Sequence, residues 1–274
     1  MKGKERLDVV LTDKGYYPSR EKAKAAIMAG VVFINNVQET KAGTMINPEE
    51  DEIYVKENIC PYVSRGGLKL EKALAHFGID VTGLKVVDIG ASTGGFTDCC
   101  LQKGAVKVFA IDVGYGQLDY KLRIDDRVVN MEKCNIRYLD PAVIDPDIGF
   151  ICTDVSFISL KLVFPVAAKL LQDGGSMVCL VKPQFEAGRE QVGKNGIVRD
   201  PAVHREVLQK VAGYATAEGL YPAAITYSPI TGQKSGNIEY LMHLRKEQIQ
   251  LDLDTLIDET VKESHNNLDK IMKE

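Results

Sequence analysis

The chain has 274 residues, which is long enough for two domains, and its 45% share of hydrophobic residues is ordinary for a globular protein. No apolar run approaches the ~20 residues needed to cross a bilayer, and no apolar segment follows residues 1–6, so we expect a cytoplasmic protein with no membrane partner. The net charge of −4 argues at first against nucleic acid. However, residues 1–24 carry seven Lys or Arg against four acids, whereas residues 246–274 carry four Lys against eight acids.

The cysteines and histidines do not form a metal-binding pattern. The six cysteines include no C-x-x-C pair, and the four histidines are scattered without ligand spacing. We therefore expect reduced cysteines in the core and no bound metal ion.

Residues 1–58 are predicted to form a small α+β domain. Apolar spacing in residues 7–11 predicts one helix, and Ser19 can cap a second. A short strand follows, and Asn35-Asn36 can adopt the left-handed backbone angles of a tight hairpin turn.

A linker and an α/β domain are expected next. Residues 59–66 carry Pro and Gly without periodicity, which is typical of an interdomain linker. Residues 67–245 begin with an amphipathic helix and then alternate strands with helices, which predicts a doubly wound, mostly parallel seven-stranded sheet whose last two strands pair antiparallel. Residues 246–274 are predicted to form an amphipathic helix that packs on the body or offers a partner surface. The expected strands are 85–89, 107–111, 127–131, 148–153, 176–182, 223–228 and 238–244, with helices over 158–172 and 201–218.

The first strand of this domain ends in a glycine-rich turn that can hold a cofactor. The glycines fall as G-x-x-x-G-G, and Ser92 stands where the dinucleotide fingerprint needs its second glycine. Asp88 precedes the turn and Asp112 ends the second strand, where a carboxylate can accept hydrogen bonds from ribose hydroxyls. This combination favours S-adenosylmethionine, with Asp88 beside its cationic end. The candidate cofactor-binding residues are Asp88, Gly90, Ser92, Gly94, Gly95, Phe96, Asp112, Val113 and Asp154.

Two opposite charges are expected at the same edge of the sheet. Asp154 follows the fourth strand and Lys182 ends the fifth, so both side chains should emerge near the glycine turn. Because charges at a buried edge are costly unless paired, this pair indicates either a catalytic site or a structural ion pair.

The first 50 residues resemble the S4 RNA-binding domain. The resemblance rests on Arg6-Leu7-Asp8, on Ser19-Arg20 and on the glycine-terminated second helix. It implies that Arg6, Arg20, Lys22 and Lys24 contact structured RNA. An ordinary solvated helix with surface lysines is the alternative.

Residues 4–245 resemble the TlyA family, whose members are often labelled haemolysins. The resemblance implies a class I methyltransferase fold related to FtsJ, and 2′-O-ribose methylation of ribosomal RNA, at cytidine in 16S or 23S rRNA. The motifs that carry it are YVSRGGLKL (62–70), DIGASTGGFT (88–97), DVGYGQ (112–117), DVSFIS (154–159), KPQFEAGR (182–189) and GNIEY (236–240).

The family resemblance also implies roles for individual residues. Its Lys-Asp-Lys-Glu tetrad corresponds to Lys69, Asp154, Lys182 and Glu239. We expect Lys182 to accept the hydroxyl proton, because burial and the nearby Lys69 favour a neutral amine, while the two acids orient the lysines. The glycine-bearing segment 186–199 is either an RNA-gripping loop or a plain surface loop. Further candidate RNA contacts are Arg65, Arg189 and Lys194.

Three other functions compete with this interpretation. A membrane-active haemolysin would need a secretion signal or a membrane-binding segment, and a non-catalytic ribosome assembly factor would not need the complete tetrad. A nicotinamide-dependent oxidoreductase would need the other glycine spacing. The sequence leaves open the modified nucleotide, the ribosomal subunit and the oligomeric state.

Overall fold

The computed structural model describes residues 3–55, 60–231 and 236–271, with side chains in the last helix described as far as 267. The chain divides into two compact units, Met1–Ile59 and Cys60–Glu274. Most of the expected linker is packed onto the larger unit, and its first residue, 59, lies outside the described part. Tyr62 is buried, and the Val63 N–H donates to Asp98 at 2.8 Å.

The smaller unit packs two helices against short antiparallel strands. Asn35 and Asn36 have φ of 51° and 66°, which confirms the predicted hairpin turn. Leu7, Leu11 and Ile27 are fully buried between the helices and the strands. The elements are β1 (Glu5–Arg6), α1 (Leu7–Asp13), α2 (Arg20–Met28), β2 (Val32–Ile34), β3 (Val37–Glu39), β4 (Met45–Ile46) and β5 (Ile53–Val55), in sheets β1-β4 and β3-β2-β5.

The larger unit is a doubly wound α/β domain, as predicted. Within the described residues its sheet has seven strands in the order β11-β12-β10-β9-β6-β7-β8, and β12 alone runs against its neighbours. Its elements are α3 (Gly66–Phe77), β6 (Lys85–Ile89), α4 (Gly95–Gln102), β7 (Lys107–Ile111), α5 (Tyr120–Arg123), β8 (Val128–Met131), β9 (Ile148–Thr153), α6 (Phe164–Leu170), β10 (Leu171–Val181), α7 (Pro183–Glu186), α8 (Pro201–Ala217), β11 (Tyr221–Tyr227), β12 (Tyr240–Arg245) and α9 (Leu253–Ile271).

The expected helix over 158–172 is wrong in its extent. A 3-10 turn occupies Leu160–Leu162, and α6 begins only at Phe164, with Pro165 in its first turn, where the missing N–H costs nothing. The chain enters β10 at Leu171, five residues earlier than expected, because a register shift before Ser176 lets the strand pass through a glycine pair.

The carboxyl ends of β6 and β9 adjoin where the winding direction reverses. β6 is followed by β7 and β8 on one side, while β9 and β10 lie on the other, and Ile89 pairs with Thr153. Such a switch point opens a crevice that commonly holds the ligand of a doubly wound sheet. The glycine turn and Asp154 both start from this point.

The C-terminal helix α9 covers the β11 side of the sheet. Ile257 and Val261 are buried among residues of the main core cluster, which also includes apolar side chains of α8 and β11. This is the packing expected for an amphipathic helix on the body. Two of the predicted apolar positions, Leu268 and Ile271, have side chains outside the described residues.

Candidate active site

The turn between β6 and α4 depends on glycine because of its backbone angles and its close contacts. Gly90 has φ of 85°, and a Cβ there would lie 2.9 Å from the carbonyl oxygen of Asp154. A Cβ on Gly95 would collide with Ser64 and lie 2.8 Å from the backbone nitrogen of Gly67. Both glycines line a cavity, so the missing side chains let the backbone approach a bound molecule.

Asp112 lies on the wall of a cavity of about 560 Å³ beside the turn. Its Oδ2 accepts from the Ser92 N–H at 2.8 Å, and its Oδ1 accepts from the Gly114 N–H at 2.7 Å. Each carboxylate oxygen therefore keeps a further lone pair that can face a ligand. The rest of the lining is largely apolar and includes Ile89, Ile111, Val113, Ile136 and Val155.

Two of the predicted cofactor residues, Asp88 and Gly94, do not line this cavity or its neighbour. Asp88 is fully buried, and its Oδ2 accepts from the Thr97 N–H at 2.9 Å and the Thr97 hydroxyl at 2.7 Å. Burial raises the pKa of Asp88 to about 7, against the lowering effect of the Thr97 bonds. A Cβ on Gly94 would collide with Leu122. These two residues shape the turn from behind, whereas Phe96 is buried at the edge of the second cavity.

The four tetrad residues meet in this second cavity, of about 410 Å³. Lys69, from the first turn of α3, places Nζ 2.6 Å from Glu239 Oε2 and 3.4 Å from Asp154 Oδ2. Lys182, directly after β10, places Nζ 2.5 Å from Asp154 Oδ1. The result is a continuous chain of alternating charge, Glu239–Lys69–Asp154–Lys182, as the sequence predicted for Asp154 and Lys182.

The charges in this chain stabilise each other against burial. Burial lowers the pKa of Lys69, but the carboxylates of Asp154 and Glu239 outweigh it and leave the pKa raised. Burial likewise raises the pKa of Asp154, but the two lysines outweigh it and leave the pKa lowered. Lys69 is therefore held as an ammonium and Asp154 as a carboxylate at neutral pH.

Ser156 and Glu186 are parts of the site that sequence reasoning missed. Ser156 lines both cavities, and its Oγ accepts from Lys182 Nζ at 2.8 Å. Glu186 is buried and accepts from the Ser159 hydroxyl at 2.8 Å and the Leu160 N–H at 2.7 Å. It thus ties the loop that bears Ser156 to the segment that follows Lys182. Both residues stand inside the quoted motifs, which were the available signal.

An aromatic pair stands at the rim of the two cavities. Phe157 is 91% exposed, and its ring centroid lies 5.0 Å from that of Phe185. Phe157 also has φ of 63°, a left-handed conformation that costs a bulky residue roughly 1–3 kcal/mol. Strain of this kind concentrates at ligand sites, and an exposed ring suits stacking on a nucleobase.

The candidate RNA contacts lie in separate places. Arg65 lines the tetrad cavity, whereas Lys194 lines a shallow depression within the 191–200 segment and Arg189 is exposed on the same loop. In the smaller unit, Arg6 and Arg20 both bind Asp8. Lys22 and Lys24 lie on α2, the first exposed and the second half-buried.

Two searches of the described residues found nothing. No described helix is both long and apolar enough to cross a bilayer. No group of three His, Cys, Asp or Glu among those residues has the geometry to hold a metal ion.

The reversed β12, the glycine turn and the charge chain together define a methyltransferase of class I. The FtsJ-like methyltransferase family model matches residues 62–246, and the S4 domain model matches residues 5–53. The chain therefore belongs to the FtsJ-like methyltransferase family, in the TlyA group that carries an N-terminal S4 domain, as the sequence predicted.

Curated relatives cover most of this chain. The TlyA protein of Mycobacterium tuberculosis, named a 16S/23S rRNA (cytidine-2′-O)-methyltransferase, is 40% identical across 89% of this chain and 91% of its own. YqxC of Bacillus subtilis, described as an rRNA methyltransferase, is 54% identical across 88% of this chain and 85% of its own. A solved structure from Streptococcus thermophilus, described as a hemolysin, is 47% identical, with a TM-score of 0.79 and complete coverage of both chains.

Proposed function

We propose that the protein transfers a methyl group from S-adenosylmethionine to a ribose 2′-hydroxyl of ribosomal RNA. The observation that carries the proposal is the chain of charges from Glu239 through Lys69 and Asp154 to Lys182, next to the glycine turn. The names of the curated relatives support ribosomal RNA as the substrate and cytidine as its nucleotide. A ribosomal substrate also implies a cytoplasmic protein.

The residues around Asp112 suit the adenosine part of the cofactor. The apolar walls of that cavity match a purine, and the free lone pairs of Asp112 match the ribose hydroxyls. The two cavities share Gly90, Ser92, Asp154 and Ser156, so one molecule can extend from Asp112 to the tetrad. When bound, S-adenosylmethionine supplies an electrophilic methyl group on a cationic sulfur.

The tetrad has two tasks, which are to align the ribose hydroxyl and to take its proton. Lys69 contacts two carboxylates and Lys182 contacts one, so a neutral amine costs less at Lys182 Nζ. The hydroxyl proton passes to Lys182 Nζ as the ribose oxygen forms its new bond to carbon. Lys69 remains charged and fixes the ribose, and alignment of the reacting atoms supplies several kcal/mol of the acceleration.

The surroundings of the tetrad supply the grip on RNA. Phe157 offers a ring on which the target base stacks, and Arg65 offers a cation for a neighbouring phosphate. The loop that carries Arg189 and Lys194, with the basic residues of the S4 domain, adds contacts to the RNA backbone.

The decisive experiment maps ribose methylation on ribosomal RNA with and without the protein. Ribosomal subunits from a strain lacking the gene are incubated with purified protein and S-adenosylmethionine, and 2′-O-methyl positions are read by mass spectrometry of nuclease fragments. We expect one added methyl group at a defined cytidine, missing in the deleted strain. Absence of methyl transfer together with leakage of dye-filled liposomes would contradict the proposal in favour of the hemolysin name carried by some relatives.

A further inference from the structure

The least expected ion cluster in the smaller unit is centred on Asp8. This residue has no exposed surface although it is charged, and it lies on α1 between the side chains of two arginines. Arg6 donates through Nε to Oδ1 at 2.9 Å and through Nη2 to Oδ2 at 3.1 Å, and Arg20 donates through Nη2 to Oδ2 at 3.0 Å. One buried carboxylate therefore holds two guanidinium groups.

The two arginines keep most of their hydrogen-bonding capacity. A guanidinium has five N–H groups, of which Arg6 uses two on Asp8 and Arg20 uses one. Their side chains remain 46% and 48% exposed, so the remaining donors are open to solvent. The three groups together carry one net positive charge at a fixed place on the surface.

A carboxylate in this position has two opposing effects on an anion. Its charge partly cancels the attraction of the arginines for phosphate, which weakens binding. It also removes the repulsion between the two arginines and fixes both planar forks, which reduces the entropy lost when phosphate binds. The carboxylate stays ionised through neutral pH, because the hydrogen bonds from Arg6, helped by Arg20 and opposed by burial, lower the pKa of Asp8 to about 2.

We infer that Asp8 is a positioning residue that sets Arg6 and Arg20 as a paired clamp for the phosphate backbone of RNA. The inference rests on the proposed RNA function and adds to it a specific anion site, made of two arginines and the acid behind them. It reverses the simple electrostatic expectation, since a negative residue is here required for binding a negative ligand.

The substitution Asp8→Asn tests this because the two explanations predict opposite signs. The full-length protein is titrated against labelled 16S and 23S rRNA transcripts by filter binding, over a series of salt concentrations. If Asp8 positions the arginines, its loss weakens binding about tenfold, and the slope of log Kd against log salt falls by roughly 1.5 because two phosphate contacts are lost. If charge alone matters, the variant binds as tightly as the unaltered protein or more tightly, which would overturn the inference.

A control and a second set of variants complete the test. Asp13→Asn removes an exposed acid at the end of the same helix and should leave affinity unchanged or slightly tighter. In a background of Arg6→Gln with Arg20→Gln, the change at Asp8 should have no further effect on affinity, since the two act as one unit. If Asp8→Asn lowers the Tm or unfolds the small unit, Arg6→Lys and Arg20→Lys replace it. These variants keep both charges but lose the planar forks, and unchanged affinity there contradicts the inference.

Failure of the proposed function gives a different result. In that case the unaltered protein shows no salt-dependent affinity for either transcript. Binding by the unaltered protein with no loss on Asp8→Asn contradicts only the clamp.

Discussion

The two cavities at the switch point are neighbours built by different means. The Asp112 cavity is shaped by a glycine turn and by backbone N–H groups that hold one carboxylate. The tetrad cavity is shaped by side chains from four separate segments, held together by ion pairs. A backbone-built cavity resists side-chain substitution, whereas a cavity built from paired charges loses its geometry when one member is removed.

The comparison predicts that the chemical step will fail first at Lys182. Lys182→Ala removes the proton acceptor and leaves Asp154 without one of its two cations, so we expect the rate of methyl transfer to fall about 10³-fold or more. The affinity for S-adenosylmethionine, measured by calorimetry, should stay within a few-fold, because no bond in the Asp112 cavity is touched. Single-turnover kinetics on the ribosomal subunit provide the rate. An unchanged single-turnover rate would refute the assignment of the proton to Lys182.

The second prediction concerns Asp88, which supports the turn without lining either cavity. Its folded pKa of about 7 lies above its ordinary value of 3.8, so the folded state binds its proton more tightly than the unfolded state. The stability linked to this group is complete below about pH 4 and is lost as pH rises to about 7, by roughly 2–3 kcal/mol between pH 5 and 8. Asp88→Asn keeps an acceptor for Thr97 and removes the titration.

Urea denaturation of both proteins across pH 5–8 measures this difference. We expect the gain in stability from Asp88→Asn to be larger at pH 8 than at pH 5, since the variant avoids burying a charge. A gain that grows toward low pH would show that the pKa of Asp88 is lowered rather than raised in the folded protein. Binding of S-adenosylmethionine should change less in this variant than in a variant of Asp112.

Sequence reasoning predicted the backbone-built part of the site better than its details. Periodicity and the glycine spacing located β6, the turn and Asp112, because glycine at a strand end is a local signal. The tetrad depended on a family resemblance, since Lys69 and Glu239 are 170 residues apart and local patterns do not report their contact. Asp88 shows the opposite error. Its place before the turn indicated the cofactor, but the direction of its side chain depends on Thr97 and on burial, which spacing does not specify.

The third prediction sharpens the difference between the two cavities. Asp112→Asn removes the charge and half of the acceptor capacity facing the ribose hydroxyls, and it weakens the bonds to Ser92 and Gly114. We expect the Kd for S-adenosylmethionine to rise about 20- to 30-fold, equal to about 2 kcal/mol, with kcat at saturating cofactor little changed. Asp126→Asn, an exposed acid outside the lining, is the matched control. A fall in kcat as large as that of Lys182→Ala would mean that the cavities are not separable.

Ser156 gives the smallest and most discriminating effect, because it lines both cavities and bonds only to the tetrad. Ser156→Ala removes one acceptor from Lys182 Nζ, and a hydrogen bond to a charged group contributes about 1.5 kcal/mol, so kcat should fall about tenfold. If the hydroxyl belongs functionally to the tetrad, the Kd for S-adenosylmethionine stays constant while kcat falls. If it belongs to the cofactor cavity, the Kd rises and kcat at saturation is retained. Ser159→Ala, which removes a bond to Glu186 instead, should reproduce the first pattern more weakly, because it loosens the loop without touching Lys182.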